Sequence, residues 1–192
     1  LLSPTKGSVL VDGINMNLLA EDELMKVRRK LGMVFQSSAL FDSMNVEDNV
    51  AFGLRQHGYL SEKDIKKKAA EKLEMVGLSN TQKLMPSELS GGMQKRVSLA
   101  RAIATDPAYV LYDEPTTGLD PIISTMVEDL INKLSKELKM TAVIVTHQLS
   151  TVFRISDRVV MLHEGKLIEA GTVETTKNSN DPIIRNFMKG GL

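Results

Sequence analysis

Cysteine is absent from the 192-residue chain, which excludes a disulfide framework and any cysteine-ligated metal. That fits the cytosol without establishing it. Net charge is absent too, because 24 lysines and arginines balance 24 aspartates and glutamates. A nucleic-acid-binding surface needs a basic excess to meet phosphate, so the balance argues against nucleic acid as the main partner. No run approaches the ~18–20 continuous apolar residues of a membrane span, and no secretory signal opens the chain. Any membrane role is therefore expected to run through a partner. There is no internal repeat and no low-complexity tract. The length suits one domain, 1–192, with room for a sizeable core.

What is present alternates between strands and helices. Ser8 to Val11 reads as a strand ending in a turn at Asp12-Gly13, and Glu21 to Lys30 as a short charged helix. Leu31 to Phe35, Ala108 to Tyr112 and Thr141 to Thr146 are apolar strands. The last is apolar through its middle, which predicts a parallel sheet covered by helices on both faces. Helices are expected over Val46 to Arg55, Ser61 to Val76, Ser90 to about Ala104, Pro121 to Leu138, Leu149 to Ile155 and Pro182 to Lys189. Ser61 to Asp64 has capping-box spacing and Gly77 marks the stop. Lys66-Lys67-Lys68 reads as a solvated face. Ile123, Met126, Val127, Leu130, Ile131 and Leu134 form one apolar stripe, read as core packing. Val159 to Leu162 and Leu167 to Ala170 form a hairpin turning at Glu164-Gly165. The pattern implies an α/β domain, with residues 42–88 as an inserted helical subdomain and 178–192 as a C-terminal tail helix.

Tyr109-Val110-Leu111-Tyr112-Asp113-Glu114-Pro115 brings two carboxylates to the end of a buried strand, where α/β sheets place their ligands. Asp113 is expected to hold Mg2+ through a water, and Glu114 to orient and deprotonate an attacking water. Taken alone, the pair is more often a solvated acidic turn. Leu89-Ser90-Gly91-Gly92-Met93-Gln94 leaves bare N–H groups at the positive end of a helix, which suits phosphate, although an isolated instance would be an ordinary serine cap. Gly118 permits an unusual turn, and Asp120 is expected to cap the helix opening at Pro121. His147 ends a strand and can donate to a γ-phosphate, and Gln36 ends another and can touch a metal or its water. Each has a plainer reading as a structural or loop residue.

Taken in order, Gln36, Ser90-Gly91-Gly92, Asp113-Glu114, Asp120 and His147 resemble an ABC ATPase from Leu2 to about Gly171. LSGGM followed by LYDEPTTGLDP is a highly specific pair. The resemblance implies a P-loop NTPase-like parallel core sheet with a helical subdomain and a small antiparallel β part. It makes Gln36 the Q-loop, Ser90 to Gln94 the signature, Asp113 the Walker B aspartate, Glu114 the catalytic base, Asp120 the D-loop residue and His147 the switch histidine. ATP and Mg2+ are the implied cofactors. Two cassettes would face head to tail as a homodimer, with each signature closing over nucleotide held by the other.

No G-x-x-x-x-G-K-[ST] occurs: Gly165-Lys166 lacks the earlier glycine and is followed by Leu167. In the family this loop lies just upstream of a segment like Leu1 to Gly13. The chain opens on Leu1, and Leu2 to Gly7 reads as a helix end and turn, so the expectation is that the loop was lost with the N-terminus. The 192-residue chain alone is then expected neither to hydrolyse ATP nor to fold robustly. Phe41 to Val50, Lys83 to Leu89, Met93 and Asn180 to Met188 are similar to the ATPases of MCE-associated, Mla-type phospholipid transport. That likeness implies an integral-membrane permease, an MCE-domain protein and a STAS-domain protein as partners. It also implies a cytoplasmic position on the inner face of the cell membrane. Other cargo, such as an amino acid or a metal, stays open, as do a soluble non-transport ABC protein and a non-catalytic subunit.

Overall fold

The computed structural model describes residues 4–58 and 60–190. The turn read at Leu2 to Gly7 and the end of the 178–192 tail therefore lie partly outside the described residues. Strands β1 (Leu10–Val11) and β2 (Ile14–Asn15) form an antiparallel hairpin. Its turn residues Asp12 and Gly13 both have positive φ, 51° and 77°, the geometry that an Asp-Gly hairpin turn supplies. Asp12 fixes the hairpin to the main sheet by accepting from Lys30 Nζ at 2.6 Å and from the Tyr109 hydroxyl.

The main sheet has three parallel strands in the order β3 (Leu31–Val34), β4 (Tyr109–Asp113), β5 (Thr141–Val145). Its register pairs Val34 with Tyr112 and Asp113 with Val145, so the three C-terminal ends lie side by side. Helix α1 (Glu21–Arg28) precedes β3. Val34, Val110 and Tyr112 fill the covered face. On that face β3 approaches the end of helix α4 (Gly91–Ala102) so closely that a Cβ on Gly32 would lie 2.4 Å from Ala102 O.

The expectation that Thr141–Thr146 is covered on both sides fails. Val143 and Val145 are 49% and 62% exposed, whereas Ala142 and Ile144 pack against the core. The strand lines a cleft of about 950 Å³, which Val160 and Leu162 of β6 (Val159–His163) also line. Strand β6 pairs antiparallel with β7 (Lys166–Gly171), turning at Glu164-Gly165 as expected.

Helices α2 (Val46–His57), α3 (Glu62–Met75) and α4 pack on one another through Val50, Leu54, Ile65, Leu73, Val97 and Leu99. Asn45 caps α2 and Ser61 caps α3. Buried Asn49 accepts from Phe41 N and donates to the carbonyls of Phe41, Met44 and Asn45, organising the loop before α2. The lysine run is not uniformly solvated: Lys68 reaches Asp106 at 2.5 Å and Lys72 joins it at 2.6 Å.

Helix α5 (Pro121–Glu137) buries Val127, Ile131 and Leu134 as its stripe predicts, but Met126 is exposed and Glu128 is buried instead. Met126 lies about 100° around the helix from Val127. Glu128 is accommodated by helix α6 (Leu149–Ile155), accepting from the Thr151 hydroxyl at 2.6 Å and pairing with Arg154 Nε at 3.4 Å. Helix α7 (Val173–Lys177), capped by Thr172, is a short element that the sequence pattern does not signal. Helix α8 (Pro182–Gly190) is held by Asp181, whose carboxylate accepts from Ile183 N and Ile184 N.

Candidate functional site

Parallel register gathers the chemistry at one edge of the sheet. Gln36 lies two residues past β3, Asp113 ends β4 with Glu114 next, and His147 lies two residues past β5. Glu114 leaves the strand direction with φ 46°, while its N–H still donates to Val145 O at 2.9 Å. The turn aims its carboxylate back toward the end of β5. Oε1 accepts from His147 N at 3.1 Å and stands 2.7 Å from His147 Nδ1. Oε2 accepts from the hydroxyls of Thr117 at 2.9 Å and Thr146 at 3.2 Å. Partial burial pushes the Glu114 carboxyl up, but the hydrogen bonds from His147, Thr117 and Thr146 outweigh it and hold it below the ordinary glutamate range.

Behind this pair a second polar chain locks the two loops together. Thr116 donates to Gln148 Oε1 at 3.1 Å and lies 3.3 Å from Thr151, which donates to Glu128. Thr116, Thr151 and Glu128 are all buried, so each needs its partner. Gly118 takes φ 80°, and Asp120 caps α5 by accepting from Ile122 N and Ile123 N at 3.0 Å.

The glycine-rich tip lies beside that turn. Ser90 caps α4 by accepting from Met93 N at 3.3 Å. A Cβ on Gly91 would lie 3.8 Å from Leu119 Cδ2, whereas one on Gly92 would lie 2.7 Å from Ile123 Cγ2. Gly91 therefore presents bare backbone outward, and Gly92 is also required by packing against α5. Gln94 turns back, donating to Pro86 O at 3.0 Å and Leu89 O at 3.5 Å. Among the described residues no hydrogen bond joins Ser90 to Glu114 or His147.

Lys95 is a site residue that motif reading overlooks. It is 2% exposed, and its Nζ donates to Phe35 O at 3.1 Å and Gln36 O at 2.8 Å. Burial pushes its pKa down, against the opposing field of Asp113. A signal was present: Lys95, Leu99 and Ala102 stand at i, i+4, i+7 on a buried helix face.

Comparison with known proteins decides the family. The ABC transporter family model matches residues 1–117. The chain is 43% identical over 189 residues to the intermembrane phospholipid transport system ATP-binding protein MlaF of Haemophilus influenzae, covering 98% of this chain and 72% of that protein. The chain belongs to the ABC transporter ATPase family. The Escherichia coli K12 MlaF is 41% identical, with 98% of this chain and 70% of that protein covered. The probable ribonucleotide transport ATP-binding protein mkl of Mycobacterium leprae is 40% identical, with 99% and 55% covered. Among solved structures, the ATP-binding cassette MJ0796, a dimer in a post-hydrolysis state bound to ADP and Pi, superposes with a TM-score of 0.75 at 36% identity. That match covers 86% of this chain and 74% of the other. The fold is thus the α/β, P-loop NTPase-like fold of ABC ATPases, its enzymatic class is ATPase, and its type is the ATP-binding subunit of a transporter. Among the described residues no helix is long and apolar enough to cross a membrane.

Proposed function

We propose that this chain belongs to a subunit that hydrolyses ATP as one half of a homodimer and so drives phospholipid movement through an integral-membrane permease. The observation that carries the catalytic part is the Glu114 carboxylate, held at the strand end by Thr117, Thr146 and His147. A carboxylate with several internal donors and a depressed pKa is a modest base. Its main work is to accept from an attacking water and fix its direction. With a proton on Nδ1, His147 faces Glu114, and in the imidazolium form its Nε2 also donates to a γ-phosphate oxygen. The ring then links the water-positioning group to the group under attack. Asp120 holds the turn between this centre and the partner.

Mg2+ takes oxygen ligands and keeps several waters, relying on one or two carboxylates plus substrate phosphates. The Asp113 carboxylate and the Gln36 amide, on adjacent strand ends, are donors of that kind. Among the described residues no cluster of three or more acidic or histidine groups forms a self-sufficient metal site, which fits a metal that arrives with the nucleotide. It would neutralise charge developing on the phosphates.

Ser90, Gly91 and Gly92 act on the partner's nucleotide. A helix tip supplied in trans completes charge compensation only on closure. Gln94 serves this tip by bracing the turn before it. Residues 42–88 form the helical unit that meets the permease, and α8 (Pro182–Gly190) is the tail helix of the same domain. The site is cytoplasmic, peripheral to the inner face of the cell membrane through the permease, with MCE-domain and STAS-domain proteins as further partners. Lipid cargo is favoured by the MlaF likeness. The mkl likeness, at 40% against 43% identity, supports a second reading in which the same engine moves another cargo.

The test uses the full-length protein reconstituted with its permease in liposomes carrying a fluorescent phospholipid. Glu114→Gln is expected to bind ATP yet lose about 100-fold or more in turnover, and Ser90→Arg to prevent the ATP-bound dimer. Unchanged turnover in both variants refutes the catalytic reading, and ATPase activity without lipid movement refutes the cargo.

A further inference from the structure

The loop that carries Gln36 is held in place by helix α4. Lys95 Nζ donates to the carbonyls of Phe35 and Gln36, and Arg101 donates through Nη2 to Ser38 O at 2.8 Å and through Nη1 to Ala39 O at 2.7 Å. Two cations of one helix thus engage four carbonyls within five residues of loop. Ser38 and Ala39 both hold positive φ, 63° and 46°, a conformation that non-glycine residues keep only where surroundings impose it. Within the loop the turn is closed by one backbone bond, from Ser38 N to Phe35 O. The Arg101 guanidinium also lies 5.8 Å from the centroid of the Phe41 ring, beyond the loop. Among the described residues Lys95 forms no ion pair, and its hydrogen bonds go to these two carbonyls.

We infer that Lys95 is a positioning residue that makes the Gln36 loop move as one body with the helix whose tip is Ser90-Gly91-Gly92. Lys95 lies within the second turn of α4, close behind that tip. A shift of the tip onto the partner's nucleotide therefore drags the Phe35 and Gln36 carbonyls, and with them the amide near this chain's own nucleotide. Each site of the dimer then senses engagement of the other through a lysine that touches neither. The inference rests on the proposed roles of Gln36 and of the tip.

The full-length protein in complex with its permease provides the test. Lys95→Met keeps the apolar stem and removes the donors. It is expected to speed amide exchange across residues 35–39 by about tenfold or more while α5 stays protected. Its kcat should fall by about tenfold, with KM for ATP within about threefold. Lys95→Arg is expected to restore both. Should the methionine variant not fold, Arg101→Lys serves in its place and is expected to loosen Ser38 and Ala39 while leaving Phe35 and Gln36 protected. Unchanged exchange in Lys95→Met, with turnover still dependent on Gln36, overturns the positioning role alone. Normal turnover in Gln36→Ala overturns the reading of Gln36 and this inference with it. A kcat that falls only as far as the folded fraction falls also overturns it.

Discussion

A methyl group added at Gly92 would stand 2.7 Å from Ile123 Cγ2, closer than Cβ atoms approach other heavy atoms, while one at Gly91 would find Leu119 at an ordinary 3.8 Å. The two glycines of the tip therefore have separable duties, and alanine substitutions tell them apart. Alanine in place of glycine gains up to about 1 kcal/mol in a helix interior and less in a first turn. Gly91→Ala should then leave stability level or slightly improved. At Gly92 that gain is opposed by overpacking, which costs about 1–3 kcal/mol in a well-packed core. Ile123 is β-branched and stiff at χ1, so it cannot simply swing its Cγ2 away. The net expectation is a loss of about 1–2 kcal/mol, or about 2–8 °C in melting temperature for a domain of this size.

A double-mutant cycle gives the sharper result. Ile123→Ala removes Cγ2, so Gly92→Ala should cease to destabilise in that background, with a coupling of about 1–3 kcal/mol. Thermal unfolding of the full-length protein supplies the stabilities, and ATP turnover of the same samples supplies the function. Gly91→Ala should lose about tenfold or more in turnover at full stability, because its Cβ would intrude where bare backbone is proposed to meet phosphate. Equal destabilisation by Gly92→Ala with and without the Ile123 side chain would refute the packing argument. Unimpaired turnover in Gly91→Ala would refute the phosphate argument.

Asn49→Ala removes the partner of Phe41 N and of three carbonyls and is expected to cost about 2–4 kcal/mol in urea unfolding; an unchanged midpoint contradicts it. At Asp106, burial pushes the carboxyl up, but Lys68 and Lys72 outweigh it and hold it below the usual aspartate range. A depressed carboxyl stabilises the fold above its unfolded pKa of about 4, and that contribution is lost as pH falls through the lower folded value. Asp106→Asn should cost about 1–2 kcal/mol at pH 7, less than a fully buried pair because Asp106 is half exposed. The gap from the native chain should shrink in acid; urea midpoints showing the same gap at pH 7 and about pH 3 would oppose the assignment.

Much of this geometry is legible before any coordinates. Chain order becomes proximity once three strands run parallel in register, so Gln36, Asp113, Glu114 and His147 had to share an edge if Leu31–Phe35, Tyr109–Asp113 and Thr141–Val145 were neighbours. Local chemistry also reads directly: Asp12-Gly13 as a turn, and Ser61, Ser90 and Asp120 as caps, because each of these depends on a few consecutive residues. The errors have a common cause in partners far along the chain. An apolar β5 reads as covered on both faces, although Val143 and Val145 lie exposed along the cleft shared with β6. The stripe places Met126 in the core, although Thr151 and Arg154 of α6 provide for Glu128 there.

Lys95 shows what kind of signal escapes motif reading. Its neighbours Gln94 and Arg96 are polar, so the stretch resembles a solvated surface, and only the Leu99 and Ala102 row marks the position as internal. A buried cation is stable only with acceptors in reach, and those acceptors are backbone carbonyls about 60 residues upstream, which no side-chain pattern can announce. The converse holds for Glu114. Its hydrogen-bonding groups come from Thr117, Thr146 and His147, all inside recognisable stretches, yet its low basicity follows only from all of them reaching it together. Spacing names Glu114 as the residue proposed to meet the water, whereas its proton affinity is a property of the folded strand ends.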